Sequence, residues 1–236
     1  MSRAKHIGIV AGSAEGAALC YCTICVEGAN LLGSYDHPEV SIHTVPCGEY
    51  IRRGMAGRWE EVGQLMLSSG KKLASIGAEL LVCPDNTLHL GLDCVIQDSP
   101  VPWLHIAQEV AATAAGRGLK RLGILGTRGI TEGTVYPAKC SARGITCEFP
   151  EPEDRRGVDE LIMGELIYGR FETGTRLYIQ EVIRGFGQRG CDAVVLGCTE
   201  LPLLISEADS ALPMLDSTRI LARAALRESI GERAAG

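Results

Sequence analysis

The stretches "GAELLVCPDNTLH" (77–89) and "GCDAVVLGCTELP" (190–202) superpose without a gap at a constant offset of 113. Gly77 meets Gly190, Glu79 meets Asp192, and an apolar run of strand length lies over another. Each run stops abruptly and hands over to polar, reactive side chains, so that Asp85 falls on Cys198. A second echo links "HIGIVAGSAEG" (6–16) to "RLGILGTRGIT" (121–131), and a third links "PVPWLHIAQEVAATAA" to "ALPMLDSTRILARAAL". Three matched blocks in one order read as an internal duplication.

Working outward, short apolar runs alternate with amphipathic stretches of helix length. Strands are expected near 6–11, 40–45, 79–84 and 101–105, then near 120–126, 145–149, 192–197 and 213–215. Helices are clearest over 58–76, 105–117, 131–143, 174–189 and 217–230. Continuous apolar strands joined by helices predict parallel sheets covered on both faces. The fold class is therefore α/β, with two pseudo-twofold-related, Rossmann-like lobes and a cleft between them. The expected division is 1–104 for the first lobe, 105–215 for the second, and 216–236 for a C-terminal helix and tail packing back on the first. Ligands of open α/β sheets bind beyond the carboxyl ends of the strands, where "DNT" and "CTE" both lie.

A chain of 236 residues with 46% hydrophobic and 22% charged residues has the composition of a globular enzyme. The net charge of −6 argues against nucleic acid as a partner. No apolar run approaches the roughly 18 residues that cross a bilayer, and "MSRAKHIGIVAGSAEG" reads as a strand and loop rather than a secretory leader. A cytoplasmic location is expected. Ten cysteines, at 20, 22, 25, 47, 83, 94, 140, 147, 191 and 198, then read as reduced thiols. Cys20, Cys22 and Cys25 point in different directions on a helix, and no second Cys/His cluster completes a metal site, so no metal is expected.

In the first strand-end loop, Asn86 and Thr87 follow Asp85; in the second, Thr199 and Glu200 follow Cys198. Hydroxyls, an amide and exposed backbone N–H groups suit a substrate carboxylate, and they equally suit turns and helix caps. Cys198 is set apart by its place at a strand terminus after Gly197, where a helix N-terminus would favour the thiolate. Cys22, Cys94, Cys140 and Cys147 read as small buried hydrophobes. His89 is the one histidine beside a candidate site, with a core or hydrogen-bonding role expected. No GxxxxGK[ST], HExxH or GxSxG motif is present.

With "DNTLH" at 85–89, "GCTEL" at 197–201, "IGIVAGSAEGAA", "RLGILGTRG" at 121–129 and Tyr136, the sequence resembles the PLP-independent aspartate/glutamate racemase superfamily over nearly its whole length. That resemblance implies two lobes closing over the substrate, no cofactor, a small carboxylate as partner, and a homodimer. It implies acid/base catalysis by Cys198 and by the residue facing it, here Asp85. Asn86, Thr87 and Thr199 would hold the α-carboxylate, with Gly12, Ser13, Thr127 and Glu200 also lining the substrate site.

Three departures stand out: Asp85 where the family carries a first cysteine, Ile130 where a threonine is usual, and Ile167 where a lysine would meet a distal carboxylate. A two-base racemase uses its site in two protonation states. From reference values of about 3.9 for Asp and 8.5 for Cys, the state with neutral Asp85 and a Cys198 thiolate lies roughly 6 kcal/mol above the other. A raised Asp and a lowered Cys would shrink that gap. The leading expectation is racemisation or epimerisation of an amino acid. The alternatives are decarboxylation of a substituted malonate, with Cys198 as proton donor, and a non-catalytic carboxylate-binding protein.

Overall fold

The computed structural model describes residues 3–231, so the last residues of the expected tail lie outside the described residues. Two compact units form: one holds the residues up to Glu109 and those from Thr218 onward, the other Val110–Ser217.

In the first lobe the order is β1 (Ile7–Ala11), α1 (Ala14–Leu32), β2 (Val40–Thr44), α2 (Cys47–Met55), α3 (Trp59–Ser75), β3 (Leu80–Val82), α4 (His89–Val95), β4 (Trp103–Leu104) and the start of α5 (Ile106–Gly116). The second runs through β5 (Arg121–Leu125), α6 (Arg128–Thr131), α7 (Val135–Ser141), β6 (Thr146–Glu148), α8 (Pro152–Gly164), α9 (Thr173–Gln188), β7 (Ala193–Leu196), α10 (Leu201–Leu204) and β8 (Met214–Asp216). Helix α11 (Ser217–Ser229) then belongs almost wholly to the first lobe.

Each lobe carries one four-stranded parallel sheet, ordered β2-β1-β3-β4 in the first and β6-β5-β7-β8 in the second. The register reproduces the sequence alignment. Ile7 lies beside Leu80 and Leu122 beside Ala193; Leu81 lies beside Trp103 and Val194 beside Met214. The matched acidic residues also share a task. Glu79 accepts from the backbone N–H of His6 (3.3 Å), and Asp192 from those of Lys120 and Arg121 (2.7 and 2.8 Å). Each anchors the start of the central strand. Gly77 (φ 102°) and Gly190 (φ 78°) enter β3 and β7 through left-handed backbone that a side chain would strain.

Alternate strand residues face opposite covers. Ile7, Ile9, Leu80 and Val82 pack with Cys20 and Ile24 of α1 and with Leu221 and Ala225 of α11. Val10 and Leu81 pack on the other face with Met66 and Leu73 of α3, Tyr50 and Trp103. In the second lobe, Val194 and Leu196 meet Val158 and Ile162 of α8 and Ile179, Ile183 and Phe186 of α9. Full burial of each such aliphatic side chain stabilises by about 1.5–3 kcal/mol.

Two expected elements are corrected. The helix expected over 131–143 is divided into α6 and α7, because the chain bends at 132–134 around Gly133, a weak helix former. The last strand is displaced to Met214–Asp216, since Pro213 offers Val194 its carbonyl (2.9 Å) but has no N–H to extend the ladder. Two thiols expected in the core, Cys22 and Cys94, are exposed, while Cys140 is buried and Cys147 half-buried.

Candidate active site

The first strand-end loop begins where β3 stops at Val82. Asp85 leaves the strand in extended backbone (φ −85°, ψ 108°), and Asn86–Leu88 form one 3₁₀ turn leading into α4. Asp85 does not cap that turn. Its half-buried carboxylate reaches instead to the turn between β1 and α1. There the Gly12 N–H donates to Oδ2 (3.0 Å), and the Ser13 N–H lies 3.1 Å from Oδ1 and 3.2 Å from Oδ2. Ser13 is also the N-cap of the 19-residue α1, its hydroxyl accepting from the Gly16 N–H at 3.2 Å. The positive end of a helix favours an anion, and Asp85 supplies it.

This geometry requires glycine at position 12. A Cβ there would stand 2.9 Å from the Asp85 carboxylate and 2.6 Å from Leu88 Cδ1. The amides of Gly12 and Ser13, two residues expected to line the substrate site, are engaged by Asp85. Both amides donate to a carboxylate, which favours its ionised form. The surrounding thiols are held neutral. Burial, and then the Asp85 charge, pushes Cys20 up to about 12 and Cys83 well above the ordinary thiol range.

His89 supports the loop from below. It is fully buried, and its Nε2 lies 2.9 Å from the Cys83 carbonyl oxygen. A carbonyl only accepts, so Nε2 carries the proton. The His105 ring packs edge-on against it at 4.4 Å, with Asp93 Oδ1 3.4 Å from His105 Nε2. The role is hydrogen bonding within the core, in line with the reading of the sequence.

The second loop follows β7. The Gly197 N–H donates to the Leu125 carbonyl (2.7 Å), and Gly126 and Gly197 pass so closely that a Cβ on Gly126 would stand 2.9 Å from the Gly197 oxygen. Ile130 is fully buried against both glycines, its Cγ2 3.2 and 3.3 Å from their Cβ positions. It is a packing residue. Ser217 donates to the Leu196 carbonyl (2.7 Å), behind the strand end, and bonds with the buried Tyr136, whose phenol burial pushes up.

Cys198, Thr199 and Glu200 are all buried. The Cys198 thiol donates to Glu200 Oε2 at 2.8 Å. The helix that follows, α10, is only four residues long, with Glu200 at its N-cap, and the Glu200 carboxylate accepts the hydrogen bond of the thiol. Glu200, expected to line the substrate site, is thereby also a partner of Cys198. Thr127, at the N-cap of α6, is half-buried and uses its carbonyl to accept from Ile130 and Thr131 (2.9 and 3.0 Å). Ile167 lies in the 3₁₀ turn Leu166–Tyr168, packed against the second lobe's core. The structure thus joins Asp85 to Gly12 and Ser13, and Cys198 to Glu200. Asn86 is buried and Thr87 half-buried at the opening of the first turn.

Sequence reasoning missed Ser217 and His105 as supports. Ser217 stands at the start of an apolar helical run and His105 just past a two-residue strand, positions that carry no polar motif.

Among the described residues, no group of three or more Cys, His, Asp or Glu could hold a metal ion, and no helix is long and apolar enough to cross a membrane. Comparison with known proteins adds the family. The profile described as Asp/Glu/Hydantoin racemase matches residues 17–225. The chain is 23% identical over 224 residues to the broad specificity amino-acid racemase RacX of Bacillus subtilis, covering 92% of this chain and 95% of that one. It is 26% identical over 184 residues to the glutamate racemase of Pseudomonas aeruginosa, covering 76% and 66%. The crystal structure of an aspartate racemase homologue from Pyrococcus horikoshii superposes with a TM-score of 0.81 at 27% identity, covering 96% of this chain and 99% of that one.

Proposed function

Because the chain belongs to the Asp/Glu/Hydantoin racemase family, an isomerase family, we propose that it is a cofactor-independent racemase of aspartate, glutamate or a similar amino acid. Asp85 and Cys198 act in it as the acid/base pair. One observation carries this reading: the two equivalent strand ends present a carboxylate held by amides and a thiol with its proton in a hydrogen bond. One is suited to take a proton and the other to give one. Asn86, Thr87, Thr199 and Thr127 bind the substrate, the first three at its α-carboxylate. Glu200 acts on Cys198. We propose a cytoplasmic homodimer, to be checked by light scattering on the purified protein.

The test is proton NMR of L- and D-aspartate and L- and D-glutamate incubated with the protein in D₂O, with chiral chromatography alongside. Loss of the Cα–H signal with inversion, abolished in both Cys198→Ala and Asp85→Asn, is the expected result. No exchange with any of the four would overturn the assignment to these amino acids. A second reading is favoured by the proton that Cys198 already holds. Decarboxylation of a substituted malonate needs only that donor, and would release CO₂ in Asp85→Asn but not in Cys198→Ala.

A further inference from the structure

The two loops differ in what they do with a proton. At the first, N–H groups from Gly12 and Ser13 point at both oxygens of Asp85, and Gly12 has no side chain to keep the carboxylate away. An acidic proton on either oxygen would compete with these donors. The titratable groups whose charges interact with Asp85 there, Cys20, Cys83 and Tyr50, are all shifted toward their neutral, protonated forms. At the second loop the buried Cys198 thiol donates to Glu200, and a thiolate, which has no proton to donate, would lose that bond.

Resting on the racemase reading, we propose that the free enzyme is held in one protonation form, with Asp85 as carboxylate and Cys198 as thiol, so that it takes one enantiomer directly and reaches the other only after an uphill proton switch. In the direct direction Asp85 removes the α-proton, and the C–H electron pair stays on carbon as a carbanion. The Cys198 thiol then gives its proton to the opposite face, forming the new C–H bond and leaving a thiolate. Asp85 now carries a proton and Cys198 a charge. Solvent returns the enzyme to rest by taking the proton from Asp85 and giving one to Cys198, which is downhill. For the opposite enantiomer the same switch must be climbed before binding. From reference acidities alone the upper form is populated about 10⁴–10⁵-fold less.

Enantiomers are isoenergetic, so kcat/KM is equal in the two directions and the asymmetry must appear in kcat and KM together. The expected kinetic result is a kcat about tenfold or more lower for one enantiomer, with KM lower by the same factor. Raising the concentration of a small proton-carrying buffer should speed that direction alone. Equal kcat values with no buffer effect would overturn the proposal. Infrared difference spectra of the resting protein near neutral pH decide it without turnover. Cys198→Ala should remove one S–H stretching band, and Asp85→Asn should remove no protonated-carboxyl band. Cys198→Ser, closer in size and still a hydrogen-bond donor, serves if the alanine variant folds poorly. An unchanged S–H intensity, or loss of a protonated-carboxyl band, would overturn the resting form. Absence of turnover with intact S–H and carboxylate signals would instead sink the racemase reading and leave the resting form standing.

Discussion

The loops after β3 and β7 occupy the same place in two sheets of the same strand order, yet they are tied down differently. The first reaches sideways: Asp85 binds the turn after the neighbouring strand β1, and His89 braces the Cys83 carbonyl from the helix that follows. The second is tied within itself and from behind, through Cys198 to Glu200 two residues on and through Ser217 to Leu196. Duplication preserved the frame, including the paired glycines and the acidic anchors Glu79 and Asp192. It left the reactive tips free to diverge. A carboxylate needs donors, which a strand–helix turn supplies in its amides, whereas a thiol needs an acceptor, which a nearby carboxylate supplies.

The sharpest way to break this comparison is at the glycines beneath the two tips. Gly12→Ala places a methyl against the Asp85 carboxylate and Leu88, both of which are side chains able to swing away. Activity should fall about 10²-fold or more through misplacement of Asp85, while the urea midpoint moves little. Gly126→Ala meets the Gly197 main-chain oxygen, which cannot swing. It should lower both activity and the urea midpoint. Equal stability losses in the two variants would show that Asp85 is bound to the β1–α1 turn as rigidly as backbone.

The braces come next in size. His89→Ala removes a fully buried ring and orphans the Cys83 carbonyl, at a cost of about 2–4 kcal/mol. Ser217→Ala removes one hydroxyl bond to Leu196 and should cost about 1–2 kcal/mol. Denaturant titration of both variants ranks them. A larger loss for Ser217→Ala would mean that the second loop depends on its rear support more than the first.

Much of this comparison was legible beforehand. The matched blocks located the central strands to within a residue or two, because a parallel strand buried on both faces is a continuous apolar run. Asp85 and Cys198 stood out as polar residues directly after such runs. Among the longer helices, α1, α2 and α8 went undelimited: α1 buries mostly small residues such as Gly16, Ala17, Cys20 and Gly28, α2 is mostly polar with one buried side chain, and α8 opens on Pro152, Glu153 and Asp154, start signals that only gain weight once a helix is suspected. The partners of the reactive groups were hidden for a different reason. Gly12 and Ser13 lie more than seventy residues from Asp85, and the donors they offer are main-chain N–H groups, which every residue but proline carries. Glu200 was visible, but nothing in "CTE" says whether its carboxylate faces the substrate or the thiol.

The smallest expected effect separates the loops by charge. Cys20 sits at the ordinary thiol value of 9.0 when exposed and is pushed up to about 12 in the fold, first by burial and then by the Asp85 charge. Below pH 9 folded and unfolded chains both keep that proton, and its contribution to stability is complete. Above pH 9 the unfolded chain sheds the proton while the folded one holds it, so stability falls as pH rises toward about 12. The slope from one such group is at most about 1.4 kcal/mol per pH unit. Cys83 adds to it for the same two reasons. Tyr136 in the second lobe adds through burial and bears no mark of Asp85. Asp85→Asn should therefore flatten the alkaline loss only in part, by the share that the Asp85 charge contributes at Cys20 and Cys83. Urea midpoints of wild type and variant across this range measure that share. An unchanged slope would mean that Asp85 carries no charge in the folded protein, and the contrast between an ionised tip and a protonated one would go with it.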